Sequence, residues 1–475
     1  MSGSRPSLLH HEAGDIYFTN AEGQEVYLAG LHTWTTVQDR NGQVFDNDAF
    51  LRLQQQLGSN FVRLWASDAA DDHGTVTPSP FMQAADGRFD LTKINPEFLS
   101  TLRGRVEAAG EAGLYASVML FNGWAWHQAN SAGHSPYSAG NNVNGISAGP
   151  GTIMSLNDPA VIAVQEAYVR AAVNTVKDLP NVLYEVANEA SNNGDAWAWQ
   201  NHMLGIIKQA DGNRHPAGIT AAEWWSGDRY AINGDLARSD ADWTSPDGAD
   251  YMDGSIPSAN GGKVSVVDTD HLWGIGGSKE FVWEAFTRGH NVISMDTLEN
   301  TGIAGASQAY LGYAPDAVTS MRAGIQQTRA VAELIDLNGV KEHGSLSSTG
   351  FALADPADGE FIVYAPNGGH FTVDLSEARS MTLSVKWMDV DSGTLTSAGS
   401  IAGGNNAQNF TAPSGRAALV LTDRLDNLVF GAGVTADGDS QEATADGWVL
   451  TYDAAGDSVL LQGDASLEAA DLLFA

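Results

Sequence analysis

Asn181-Val-Leu-Tyr-Glu-Val-Ala-Asn188-Glu189 follows Pro180, a helix breaker, and carries Val182, Leu183, Tyr184 and Val186 before ending on a carboxylate. An apolar run bounded in this way reads as a buried β-strand. Alternate side chains of a strand share a face, so Glu185, Ala187 and Glu189 are expected on one side and Val182, Tyr184 and Val186 on the other. Carboxylates on one face and bulky apolar groups on the other suit a strand of a parallel barrel. Its outer face meets helices and its inner face leads to a site at the C-terminal mouth. Glu189 is expected at that mouth.

Working outward, seven further strand-like segments alternate with helical ones. Val26 to Gly30 leads into Leu31-His32-Thr33-Trp34, and Asn60 to Trp65 and Leu114 to Leu120 precede the quoted stretch. After it come His215 to Glu223, a weak sixth segment at Asp250 to Ser255, then Lys263 to Trp273 and Asn291 to Asp296. Helix starts stand between them: Asp46 or Asn47 caps one, Asn95-Pro96-Glu97 and Asp158-Pro159 open two more, and Ser278 caps another. A last helix runs from about Pro315 to Leu337 and stops at Asn338-Gly339. The Gly, Asn and Ser-rich segment from Asn130 to Gly151 has no periodicity and belongs on the site side of a barrel. This alternation predicts an α/β fold, a (β/α)8 TIM barrel over residues 15–340.

Beyond Gly344 the pattern changes to short alternating strands such as Phe361–Tyr364, Phe371–Leu375, Leu383–Met388 and Ala418–Leu421. Gly and Asn turns separate them, which predicts a C-terminal antiparallel β-sandwich over 345–422. Residues 423–475 form an acidic, Gly and Asp-rich β extension.

Asn188-Glu189 at the end of the fourth strand resembles the acid/base signature of the cellulase-like clan of retaining (β/α)8-barrel glycoside hydrolases. Arg63, ending the second strand in an Asn-x-Val-Arg setting, is similar to the arginine that supports the nucleophile in that clan. The sandwich resembles the domain often appended to such barrels and named for collagen binding, and a packing role is expected for it. The resemblance implies hydrolysis of O-glycosidic bonds in a poly- or oligosaccharide with retention of configuration, Glu189 as acid/base, and no cofactor or metal.

Glycosidic cleavage needs one carboxyl that holds a proton and a second that is ionised. The clan places a glutamate at the end of strand seven, where this chain has Asp268 and Asp270. Three answers follow. Asp270, or Asp268 on the same face, is the nucleophile; or Glu223 at the end of strand five replaces it; or a water lies between wider-spaced carboxyls and the enzyme inverts. Asp270 is preferred because it lies nearest the mouth. His32, Trp34, Trp65, Asn122, Trp124, Trp126, His127, Asn188, Trp224, His271 and Trp273 also fall at or beyond strand ends, with Arg63 and Glu223, and together suggest a sugar cleft.

Two other classes compete. His32, His271, Asp268 and Asp270 could hold a metal, although the first strand lacks a paired-His spacing because Thr33 and Trp34 follow His32. A noncatalytic glycan-binding barrel would keep the tryptophans without needing Glu189 and Arg63.

Composition narrows the partners. Of 475 residues 43% are hydrophobic, enough for a large core and more than one domain. Against 24 Lys plus Arg stand 58 Asp plus Glu, a net charge of -34, which disfavours nucleic acid and anionic membrane and is compatible with a neutral glycan. With no cysteine there are no disulfides or thiolate sites. Met1 to Asn20 lacks an apolar signal-peptide core, while the acid-plus-apolar ending Asp471-Leu-Leu-Phe-Ala475 resembles uncleaved bacterial export signals. A secreted bacterial protein is therefore expected, with a cytoplasmic one as the alternative, and composition leaves the oligomeric state open.

Overall fold

The computed structural model describes residues 5–423 except 35, 69–74, 128–134, 150–151, 191–193, 221–231, 248–250, 252–255, 260 and 306–314. Beyond 423 it describes only the short strands Leu428–Phe430, Ser440–Thr444, Gly447–Thr451, Ser458–Leu461 and Leu472–Phe474.

Eight parallel strands close into a barrel: β1 (Ala29–His32), β2 (Phe61–Trp65), β3 (Tyr115–Asn122), β4 (Val182–Asn188), β5 (Ala217–Thr220), β6 (Trp243–Ser245), β7 (Val264–Asp268) and β8 (Asn291–Met295). Each pairs with its sequence neighbours, and β8 returns to β1 through Met295 opposite His32. The barrel and the sheet after it are those expected, but two segments differ. The sixth strand is Trp243-Thr-Ser245, ahead of the expected 250–255; with three residues it is too short to show an alternating pattern. The seventh ends at Asp268, where a helix begins, so the segment to Trp273 is not one strand.

The helices start where their capping chemistry says they should. α1 (Asn47–Gln56) is capped by Asp46, whose carboxylate accepts from Ala49 N–H at 2.9 Å. α2 (Pro96–Glu111) and α3 (Pro159–Val176) are capped by Asn95 and Asp158, each with proline in the first turn. α4 (Gly194–Asp211) leads to β5. α5 (Thr269–Leu272) is a single turn after β7, α6 (Lys279–Thr287) is capped by Ser278, and α7 (Pro315–Ala332) closes the ring.

The barrel interior changes character with height. Its floor is apolar: Phe61, Tyr115, Leu183, Trp243, Val264, Val266 and Ile293 pack together with Leu9, Phe18 and Leu28 of the N-terminal segment. Gly218 makes room for Trp243, since a Cβ there would sit 2.1 Å from the indole. Two residues further along the inward faces come Arg63, Glu185 and Asp268, all buried. The charged layer thus lies directly above the apolar one, under the mouth.

Among the described residues up to 423, eight strands follow the barrel: β9 (Lys341–Glu342), β10 (Ala352–Asp355), β11 (Glu360–Ala365), β12 (His370–Val373), β13 (Thr382–Asp389), β14 (Thr394–Ala402), β15 (Gln408–Thr411) and β16 (Ala417–Thr422). Six form an antiparallel sheet in the order β9-β10-β11-β16-β13-β14, and β12 pairs with β15. One face of the large sheet packs with β12 and β15 through Phe371, Val373 and Phe410. Its other face, with Ile362, Tyr364, Met388 and Val420, shares a single core with the barrel helices. Tyr364 stacks on Trp283 of α6 at 5.7 Å, and Gln327 of α7 donates to Val390 O at 3.1 Å.

Candidate active site

Arg63 organises the charged layer. Its guanidinium forks onto Glu185, with Nε to Oε2 at 2.8 Å and Nη2 to the other oxygen, and Nη2 also donates to Asn188 Oδ1 at 3.0 Å. Nη1 lies 3.3 Å from Asp268 and 3.4 Å from Asp270. Burial opposes the charge on Arg63, but Glu185 and Asp268 outweigh it and raise its pKa further. Glu185 was read from the sequence only as an inward residue, and its partnership with Arg63 was missed. The available signal was that both side chains point inward at similar height from strands separated by one neighbour.

Glu189 lies just past β4 and is buried, at 3% exposure. Its backbone is left-handed, with φ 44°, so it does not continue the strand alternation; the turn swings its side chain instead. Gly123, opening the short helix Gly123–His127 after β3, packs against this turn. A Cβ at Gly123 would lie 2.2 Å from Asn188 O and 2.7 Å from Glu189 O. Burial pushes the Glu189 carboxyl well above its ordinary value, and the nearby Asp270 and Asp247 push it further. Asp247, beyond β6, escaped sequence reading because that strand was placed too late.

The two strand-seven aspartates are in different environments. Asp268 ends β7 and caps α5: its Oδ1 accepts from Asp270 N–H at 2.9 Å and faces His32 Nε2 at 2.9 Å. Burial opposes its charge, but the Arg63 guanidinium and the hydrogen bond from His32 outweigh burial and hold the carboxyl below the usual carboxylate range. Asp270 stands on the first helical turn rather than on the strand face it was expected to share with Asp268. An aspartate followed by Thr-Asp-His-Leu is a capped helix start, and that local preference prevails over continued strand. Asp270 is the more accessible of the two side chains, at 11% against 2%. Burial and then Asp268 push its carboxyl up to about 7.

The histidines serve as structural members of this layer. His32 is fully buried; Trp65 Nε1–H donates to its Nδ1 at 3.0 Å, and its Nε2 faces Asp268. His271 points Nδ1 at Ser245 Oγ, 2.7 Å away, and Thr220 Oγ1, 3.2 Å away, while Nε2 faces Asn188 Oδ1 at 3.2 Å and Arg63 at 3.3 Å. Burial pushes its imidazole down to about 3, so it is neutral. All four nitrogens that would coordinate a metal already have protein partners, and a guanidinium occupies the space between the two aspartates. Among the described residues no group of three His, Asp or Glu side chains is arranged to hold a metal ion.

The aromatic candidates divide by depth. Trp65 and Trp126 are buried, the latter 5.5 Å from Tyr137, whereas Trp34, Trp124 and Trp273 keep part of their surface. Trp273 donates to Gly276 O at 2.7 Å and meets Phe281 edge-on. Asn122 is buried at the end of β3, and its N–H donates at 3.1 Å to Asp68, a buried carboxylate that sequence reading passed over. His127 ends the short helix after β3. Glu223 and Trp224 lie outside the described residues.

A parallel eight-stranded barrel whose mouth gathers a buried glutamate, an aspartate and an arginine-anchored carboxylate layer has the framework of a barrel glycosidase. Residues 19–251 match the family described as cellulase (glycosyl hydrolase family 5), a match that stops short of β7. Residues 351–422 match the family described as the putative collagen-binding domain of a collagenase. The chain is a cellulase-like (β/α)8-barrel glycosidase with an appended β-sandwich of the collagen-binding type. Among solved structures it is similar to a glycoside hydrolase at TM-score 0.60 and 14% identity, covering 89% of this chain and 98% of that one. It is also similar to a family 5 glycoside hydrolase from Bacteroides vulgatus at TM-score 0.59 and 13% identity, covering 89% and 95%. At such identities the likeness is one of fold. No curated protein matches the chain.

Proposed function

We propose that this glycosidase cleaves a neutral poly- or oligosaccharide with retention of configuration, Glu189 acting as acid/base and Asp270 as nucleophile. The observation that carries the reading is the contrast around Arg63. Asp268 is tied to His32, Arg63 and a backbone N–H, while Asp270, which touches Arg63 only at 3.4 Å, is raised by burial and by Asp268 and in turn helps to raise Glu189. Two such groups share protons readily, which gives one acid and one anion at working pH. The acid protonates the departing glycosidic oxygen as the anion attacks the anomeric carbon. The same Glu189 then activates the water that releases the glycosyl–enzyme ester. The net charge of -34 favours uncharged over anionic glycans.

Screening the protein on a glycan panel identifies a substrate, and Glu189→Gln then tests the assignment. Turnover of a substrate with a poor leaving group should fall by about 10²–10⁴-fold, and an activated aryl glycoside, which needs no protonation, should lose far less in its first step. Near-normal turnover of the poor substrate would remove Glu189 from the mechanism.

A further inference from the structure

The charged layer has an imbalance that the proposed chemistry must manage. Around Asp270, Asp268 and Glu189, the last just past β4, stand Glu185 from β4, Asp247 from beyond β6 facing Glu189, His271 from α5, His32 from β1 and Arg63 from β2. Of the nitrogen bases, His271 is neutral. The charge of the layer therefore turns on His32.

His32 makes two contacts of opposite kind. An indole nitrogen is a donor only, so the 3.0 Å contact from Trp65 Nε1 requires that His32 Nδ1 carry no proton. Nε2 must then bear the ring's single proton and donate it to Asp268 Oδ1 at 2.9 Å. A doubly protonated ring would set Nδ1–H against the indole N–H in a buried site. The rings lie nearly parallel, 16° apart with centroids at 6.0 Å, so neither can swing away without repacking.

We propose that Trp65 is a positioning residue: its indole N–H locks His32 as the neutral Nε2–H tautomer, so Asp268 receives a donor without a second cation joining Arg63. Asp268 is then fixed as an anion beneath the mouth, and its field, offset by Arg63 but by no second cation, keeps a proton on the Glu189–Asp270 pair. The catalytic part of this inference rests on the proposed roles of Glu189 and Asp270; the tautomer lock does not. Trp65 and His32 fell at strand ends and were read from the sequence as sugar-binding groups, whereas here they act from below through Asp268.

Nitrogen NMR of the full chain labelled at histidine reads the lock directly. Wild-type His32 should show the Nε2–H tautomer alone, and Trp65→Phe, which keeps a ring face toward Arg63, should let the doubly protonated ring appear. The added cation in Trp65→Phe should move the acid limb of kcat/KM to lower pH by about 1 pH unit. The double variant Trp65→Phe, His32→Gln should restore the wild-type limb. His32→Gln alone, which needs no change at Trp65, should leave the limb in place. A doubly protonated His32 in the wild type overturns the lock, as does an acid limb that rises in His32→Gln. A doubly protonated His32 in Trp65→Phe with the acid limb unmoved overturns its link to the carboxyl pair. A wild-type protein inactive on every glycan would instead strike the functional reading, while the NMR result would still decide the lock.

Discussion

The ends of β4 and β7 each bring a carboxylate to the mouth, by different routes. On β4 the chain leaves the strand through a left-handed residue, and that residue, Glu189, is itself the carboxylate. On β7 the last strand residue, Asp268, is used to cap a helix, and the carboxylate that reaches the mouth, Asp270, comes two residues later on the helical turn. A glutamate at a strand end has one more methylene than an aspartate. Moving the shorter side chain onto a helix start advances its backbone instead, and leaves the strand-end position to a carboxylate held by His32 and Arg63. The positions share a formal charge and differ in what surrounds them, so they should respond differently to the same substitution.

The largest contrast is expected between Asp270→Gly and Asp268→Ala. Asp270→Gly should abolish turnover while leaving the thermal midpoint close to wild type, and azide should restore part of the activity as a glycosyl azide of inverted configuration. Asp268→Ala removes one partner of a buried charge cluster, which costs about 3–5 kcal/mol, so its main loss should appear in chemical denaturation. Azide should not rescue it. Rescue at position 268, or at Glu223, would transfer the nucleophile role.

An intermediate effect is expected in the pH profile. Burial and Asp268 push the Asp270 carboxyl up to about 7, so it is protonated, and non-nucleophilic, below that value. The acid limb of kcat/KM should therefore lie near 7, with activity falling about tenfold per pH unit below it, the behaviour of one titrating group. An acid limb in the ordinary aspartate range would contradict the environment assigned to Asp270. Substituting Asp268 should lower the limb, because its charge is one cause of the shift.

The smallest catalytic effect is expected far from both strands. Tyr364→Ala, which empties the stack on Trp283, should cost about 3–5 kcal/mol of stability with kcat/KM unchanged. Removing residues 345–475 should lower thermal stability and yield more severely, since it exposes the apolar face of α6 and α7. A truncated protein that stays stable but loses activity would give the sandwich a wall of the substrate cleft.

The same comparison shows what was legible in the sequence. Strand four could be read because its apolar run, its breaker and its terminal Asn-Glu agree, and the barrel followed from the periodicity of its neighbours. Strand seven misled because Lys263–Trp273 is apolar enough to continue as strand, while the capping preference of Asp268 acts over only two residues. Strand six was misplaced because three residues carry no period. The roles of Glu185, His32 and Trp65 depend on contacts between separate strands, Arg63 to Glu185 across 122 positions and His32 to Asp268 across 236, which no local pattern encodes.

The most direct test of the central claim is to trap the glycosyl–enzyme with a 2-deoxy-2-fluoro glycoside of the sugar found by screening, and to locate the label by peptide mass spectrometry. The account predicts a single label on Asp270; a label on Asp268 or Glu223 would contradict it.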